Sequence, residues 1–225
     1  MENKAAKTRA IEIAFIVDAD LLRRLETILK EVGGTLEYTV KFSDGSSVQY
    51  ADMKDVIDQP NSARRAIASL IAGASGDGQS AYVTLRNNPA PPVEYTVNGS
   101  QRNVIYFGDQ LDDWAAATRQ WYSIFSSNGA GFVIGMGALI FPLWLVGRIP
   151  AAFLGLTGSW IPAAALVVVG IAEYWLFKVF IKGTFAIGQG AKRHQFLEYV
   201  RGTLLAAFII SFLAGMLANW VMRHP

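Results

Sequence analysis

Apolar and polar positions follow two regimes along the 225 residues, and the change comes near Asn128. Before it, short periodic segments alternate with turn residues. Ile11, Ile13, Phe15 and Val17 alternate with Ala10, Glu12, Ala14 and Ile16, which predicts one strand, apolar on both sides and therefore central. Asp18 or Asp20 caps a helix whose buried face is Leu21, Leu22, Leu25, Ile28, Leu29 and Val32, and Gly33-Gly34 ends it. Leu36, Tyr38, Val40 and Phe42 form a half-buried strand, turned by Ser43-Asp44-Gly45-Ser46 into Ser47–Tyr50. Ala51–Gln59 reads as a short helix stopped by Pro60.

Residues 63–72 fit both a helix face and a strand side; the turn-rich Gly73–Ser80 favours a strand leading into Ala81–Arg86. Val93, Tyr95 and Val97 precede Asn98-Gly99, which predicts a hairpin returning through Asn103–Phe107. Asp109 then caps a helix with Leu111, Trp114, Trp121, Tyr122 and Phe125 near one face. Trp114 belongs in the core on this reading, and the last three aromatics belong near a membrane surface.

After residue 128 the pattern is apolar on every side. Three stretches, about 130–147, 161–181 and 202–222, have the length and low charge of membrane-spanning helices, with Pro162 suited to a first helical turn. The fold class expected is therefore an α+β domain (mixed or antiparallel sheet with two to three helices, residues 1–128), followed by an all-α membrane domain of three helices (residues 129–225).

Charge sharpens this division. Residues 1–128 carry 13 basic and 16 acidic side chains, a net of −3, and residues 129–225 carry 7 and 2, a net of +5. The basic excess belongs to the apolar half, so it does not argue for nucleic acid, and no direct nucleic-acid binding is expected. Lys182, Lys192, Arg193 and Arg201 lie between the second and third stretches, with Lys178 at the helix end, against Arg148 alone between the first two. Basic residues stay on the cytosolic side. With no signal peptide legible at the N-terminus, the expectation is a bacterial inner-membrane protein with its N-terminal domain cytosolic and its C-terminus outside.

Small residues recur every four positions at Gly131 and Gly135, and at Ala207, Ser211, Gly215 and Asn219, where helix backbones could approach within one subunit or between subunits. Glu173 and Asn219 are the polar intramembrane candidates; Glu173 either sits at the headgroups beside Tyr174 and Trp175 or lines an oligomer axis. Gly188-Gln189-Gly190 breaks any helix, and an amphipathic helix follows, with Lys182, Lys192, Arg193 and Arg201 as contacts for lipid headgroups. His194 reads as a surface residue.

Candidate chemistry is sparse. With no Cys and two His, thiolate sites are excluded and a His-based metal or acid–base site is disfavoured. No Walker loop, nucleophile elbow or His-Glu-x-x-His is present. Asp18/Asp20, Asp52/Asp55/Asp58 and Asp109/Asp112/Asp113 lie at or along predicted helices, where capping explains them better than metal binding. Arg64-Arg65 with Asn61-Ser62 reads as a solvated turn in preference to a phosphate site. No catalytic residue, cofactor or metal is assigned. By architecture alone, the arrangement looks like bacterial membrane effectors in which a sensor domain controls a membrane-perturbing bundle, as in antiviral defence. That resemblance implies a non-enzymatic, oligomeric, channel-like effector with the lipid bilayer, further copies of itself and a protein or nucleotide trigger as partners. The alternative is a non-conducting anchor that recruits a partner complex.

Overall fold

A computed structural model of the chain describes residues 4–76, 78–87, 92–123, 183–203, 206 and 210. Its centre is a six-stranded antiparallel sheet in the order β1-β7-β6-β5-β3-β4, formed by β1 (Lys4–Ile11), β3 (Thr35–Phe42), β4 (Ser47–Tyr50), β5 (Ile67–Gly76), β6 (Gln79–Arg86) and β7 (Val93–Ser100). Strand β2 (Phe15–Val17) stands apart, in a parallel pair with β8 (Gly183–Phe185). Helices α1 (Ala19–Val32) and α3 (Gln101–Thr118) pack on one sheet face, with α2 (Met53–Ile57) beside the β3–β4 hairpin.

The strands alternate as a one-sided core requires. Tyr38, Val40, Leu70, Ala72, Ala81, Val83, Leu85, Tyr95 and Val97 are buried toward the helices. Thr8, Glu37, Lys41 and Tyr82 are exposed on the other face. Helix α1 is capped by Asp18, whose Oδ1 accepts from Leu21 N at 2.9 Å, and it buries Leu22, Leu25, Ile28, Leu29 and Val32. The β3–β4 turn is held by Asp44, which accepts from Ser46 N at 2.8 Å and from Ser46 Oγ at 2.6 Å. Of the ambiguous stretch 63–72 only 67–72 is strand; β5 lies between β3 and β6 and runs on to Gly76, with β6 starting at Gln79, so most of the expected turn Gly73–Ser80 is strand instead. Trp114 joins the two helices by donating from Nε1 to Leu21 O at 2.9 Å.

Three expectations about elements are corrected. The single central strand over 10–17 is two elements: β1 is an edge of the large sheet, and β2 leaves it for β8. β2 is apolar on both sides because α1, α3 and its partner strand β8 surround it, not because it lies inside the large sheet. Asn98-Gly99 makes no hairpin turn. Both residues stay within β7, which pairs through them with β1, and Ser100 caps α3 by accepting from Asn103 N at 3.4 Å. Val104, Phe107, Leu111, Trp114, Ala115 and Thr118 then supply a helical buried face. Asp109 accordingly lies inside α3 and is not its cap.

The larger correction concerns the C-terminal half. Among the described residues no helix is long and apolar enough to cross a membrane. The all-α membrane domain is not seen, and the inner-membrane location and the reading as a channel-like membrane effector of antiviral defence lose the helices on which they rested. The stretches 130–147 and 161–181, and 202–222 apart from 202, 203, 206 and 210, lie outside the described residues. Gly131, Gly135, Glu173, Lys182, Ala207, Ser211, Gly215 and Asn219 fall there as well. Where the C-terminal half is described, Phe185, Ile187 and Arg201 are 4%, 3% and 0% exposed, while Lys192, Arg193, Phe196, Tyr199 and Ile210 are exposed.

Candidate functional site: a clasp between the sheet domain and residues 183–203

The site is assembled from three places in the chain: β2, the loop Pro60–Ala66, and the segment that begins at Gly183. Strand β8 pairs in parallel with β2, setting Phe15 opposite Gly183 and Val17 opposite Phe185. The other side of Phe15 bridges to Arg119, just past α3. Arg119 and Gly183 therefore both pair with Phe15 of the same short strand. The rings of Phe15 and Phe185 meet edge to face, 5.7 Å apart at 77°, a contact that adds about 1 kcal/mol to burial.

Asn61 is the hub. It is 3% exposed and adopts a left-handed backbone conformation, φ 43°, which Asn tolerates better than other residues with a side chain. Its Nδ2 donates to Phe185 O at 2.8 Å, with Ile187 O at 3.4 Å, and its Oδ1 accepts from Ile67 N at 2.9 Å. The side chain thus satisfies the start of β5 and the end of β8 together. Gln189 N donates to Pro60 O at 2.9 Å, and Arg193 Nη2 donates to Asn61 O at 2.7 Å. Helix α4 (residues 189–203) begins here. At Gly190 a Cβ would stand 2.2 Å from Phe185 O and 2.3 Å from Asn61 Nδ2, so the approach is open to glycine alone.

Near the end of this range of α4, Arg201 is fully buried. Its guanidinium lies 3.9 Å from the Tyr122 ring centroid, and Nη1 pairs with Glu198 at 2.6 Å. Tyr122 is fully buried too, and burial pushes its hydroxyl up to about 12, partly offset by Arg201. Ser123 Oγ accepts from Ala14 N at 3.0 Å. His194 is half-buried, its Nδ1 has no hydrogen-bond partner among the described residues, and burial lowers its pKa.

A second network ties edge strand β1 to α3. Asp112 receives Arg9 at 2.6 Å, Lys7 at 3.1 Å and the Tyr95 hydroxyl at 2.5 Å. Burial alone would raise the Asp112 pKa, but the three hydrogen bonds outweigh it and hold the carboxyl below the usual range.

Of the residues proposed for headgroups, Lys192 and Arg193 are exposed, Arg193 is also tied to Asn61, and Arg201 is buried. Tyr122, expected near a membrane surface, sits beneath Arg201, while Trp121 is 48% exposed. Asp18 and Asp52 cap α1 and α2. Arg65 stacks on Phe42 at 4.3 Å and faces Asp44 at 3.7 Å. Among the described residues no group of three or more His, Asp or Glu is placed to hold a metal ion. The residues that sequence reasoning missed are Asn61 and Tyr122 as partners of the C-terminal segment. Gly188 and Gly190 were the visible signal, since two glycines so close together also mark tight backbone approach. No protein-family model, no curated protein and no solved structure matches the chain.

Proposed function

We propose that the chain is a non-enzymatic sensor or interaction module in which the sheet domain grips residues 183–203 and transmits to them the binding of a protein partner or a nucleotide-type small molecule. The observation that carries this reading is the Asn61 hub, because one buried side chain satisfies both the sheet domain and the C-terminal segment. A ligand can shift such an arrangement only through different affinity for the gripped and released forms. The exposed sheet face around Tyr82 is the surface where a partner binds, since the opposite face is covered by α1 and α3.

The test is a thermal-shift screen of the full chain against nucleotides, followed by hydrogen exchange with each compound that raises the melting temperature. Exchange at 183–193 should change with binding. Compounds that stabilise the sheet domain and leave 183–193 unaltered would overturn the coupling.

A further inference from the structure

The large sheet turns one face toward α1 and α3. On its other face the cross-strand register sets Tyr82 of β6 opposite Gly73 of β5, with Glu37 of β3 next in the same row. The glycine decides how the ring lies. A Cβ at Gly73 would stand 2.5 and 2.6 Å from Tyr82 Cδ1 and Cε1, so the ring leans across onto the neighbouring strand and covers its backbone. Tyr82 keeps 40% of its surface exposed. An exposed aromatic ring held against a sheet in this way offers a stacking surface to a second flat ring.

Four residues further along β6, about 13 Å away, the charge of the face changes. Arg86 lies opposite Ser69, and Ser69 lies opposite Lys41, so a hydroxyl stands between two cations. Glu94 meets Nη1 of Arg86 at 3.1 Å, on a guanidinium that has further N–H donors. This row is also the end of the sheet at which the clasp is anchored: β5 begins at Ile67, whose N–H donates to Asn61.

We infer that this face binds a nucleoside polyphosphate, with its base stacked on Tyr82 and its phosphates between Arg86 and Lys41. The inference rests on the reading of this face as the receiving surface, and it gives the nucleotide-type ligand a place and an orientation. Charge sets the orientation, because Glu37 in the Tyr82 row repels an anionic tail and the Arg86 row attracts it. Thr84, between Tyr82 and Arg86 on the same side of β6, supplies a hydroxyl along the path of the sugar. The apolar remainder of the chain does not suit this face. Residues 124–182 have only Arg148, Glu173, Lys178 and Lys182 as charged side chains, and covering Glu37, Lys41 and the row of hydroxyls with apolar groups would leave them without partners.

Titration calorimetry of the full-length protein with ATP, GTP, CTP and UTP should show binding of at least one. The corresponding nucleoside and inorganic triphosphate should each bind at least about tenfold more weakly, since each supplies half of the contacts. Tyr82→Leu keeps apolar cover over Gly73 and should weaken the nucleotide about tenfold, whereas Tyr82→Phe should retain it. Lys41→Gln should weaken it too. Both positions are exposed, and an unchanged melting temperature without ligand establishes that each variant is folded. Absence of binding by all four triphosphates, binding that survives Tyr82→Leu, or inorganic triphosphate binding as tightly as the nucleotide would overturn the inference. The coupling to the clasp fails separately. A triphosphate that binds through Tyr82 and leaves exchange at 183–193 unaltered sinks the coupling and spares the site. One that alters this exchange and is indifferent to Tyr82→Leu spares the coupling and sinks the site.

Discussion

The side-chain amide of Asn61 donates at 2.8 Å to the carbonyl of Phe185, 124 positions further along the chain. The same side chain accepts from Ile67 N. Removing it strands a buried donor and a buried acceptor, each costing about 1–3 kcal/mol. Asn61→Ala should therefore lower stability by about 3 kcal/mol and speed exchange at 183–193. Asn61→Gly loses the same hydrogen bonds but not the tolerance of a positive φ, so it should be milder by about 1 kcal/mol. Equal losses in the two variants, measured by urea unfolding, would show that the backbone conformation matters little.

Two glycines of α4 should respond oppositely to alanine. In a helix, alanine is favoured over glycine by about 1 kcal/mol. At Gly202 nothing lies within 4 Å of a new Cβ, so Gly202→Ala should stabilise by up to about that amount. At Gly190 the Cβ would meet backbone, Phe185 O at 2.2 Å, which cannot swing aside. The clash should outweigh propensity there, and Gly190→Ala should lower the melting temperature and loosen β8. Stabilisation by both substitutions would mean that α4 is not seated on Asn61.

Asp112 gives a pH dependence with a definite sign. Its pKa is lowered in the fold, so its contribution is complete above the ordinary carboxylate value of about 3.9 and is lost as pH falls through the lower folded value. Asp112→Asn should be less stable than the parent protein at pH 7, and the gap should close as unfolding is repeated at successively lower pH below 4. A gap that stays constant to pH 2 would assign the loss to packing instead of charge.

His194 acts at milder pH. Burial lowers its folded pKa, so protons favour the unfolded or released form. Stability is then complete above the ordinary histidine value of about 6.5 and declines as pH falls from there through the folded value. Groups nearby oppose each other, with Glu198 raising the pKa and Arg201 lowering it. Amide exchange across 189–203, corrected for intrinsic rates, should accelerate between pH 7.5 and 5.5, and His194→Gln should flatten that change.

How far the sequence discloses this structure depends on the range of the interactions. Helix α1 and the β3–β4 hairpin are legible because a local period and a local turn specify them: Leu22, Leu25 and Leu29 on one face, Asp44 and Ser46 at the bend. Asn98-Gly99 misleads because its usual turn chemistry is overridden by pairing to Ala5 and Ala6 on β1. The clasp is illegible for a different reason. Asn61, Arg193, Tyr122 and Arg201 acquire meaning only through contacts 79 or more positions apart, and a run of apolar residues between two such segments reads as an independent domain. Arg201 in particular reads as a headgroup contact because it lies with Lys192 and Arg193 on an apparently basic helix, whereas its partners are an aromatic face and a carboxylate one turn away.

That arrangement makes the last prediction. The Arg201 guanidinium lies over the Tyr122 ring, 3.9 Å from its centroid, while pairing with Glu198, a combination that an ammonium group cannot reproduce. Tyr122→Phe keeps the ring under the guanidinium and loses only the hydroxyl, which also interacts with Arg201, so it should cost about 1 kcal/mol. Arg201→Lys keeps the charge but loses the planar fork, and its cost should be intermediate. Arg201→Ala leaves Glu198 without its cation. Because Glu198 retains some contact with water, the cost should be about 2 kcal/mol, below the 3–5 typical of breaking a wholly buried pair. Tyr122→Leu keeps apolar volume without a π face and should fall near Arg201→Lys. Urea unfolding should rank Tyr122→Phe as mildest, Arg201→Lys and Tyr122→Leu as intermediate and Arg201→Ala as most costly, with exchange at 194–203 rising in parallel. If Arg201→Ala unfolds like the parent protein, the contact between Tyr122 and α4 does not hold the clasp shut, and Asn61 alone carries it.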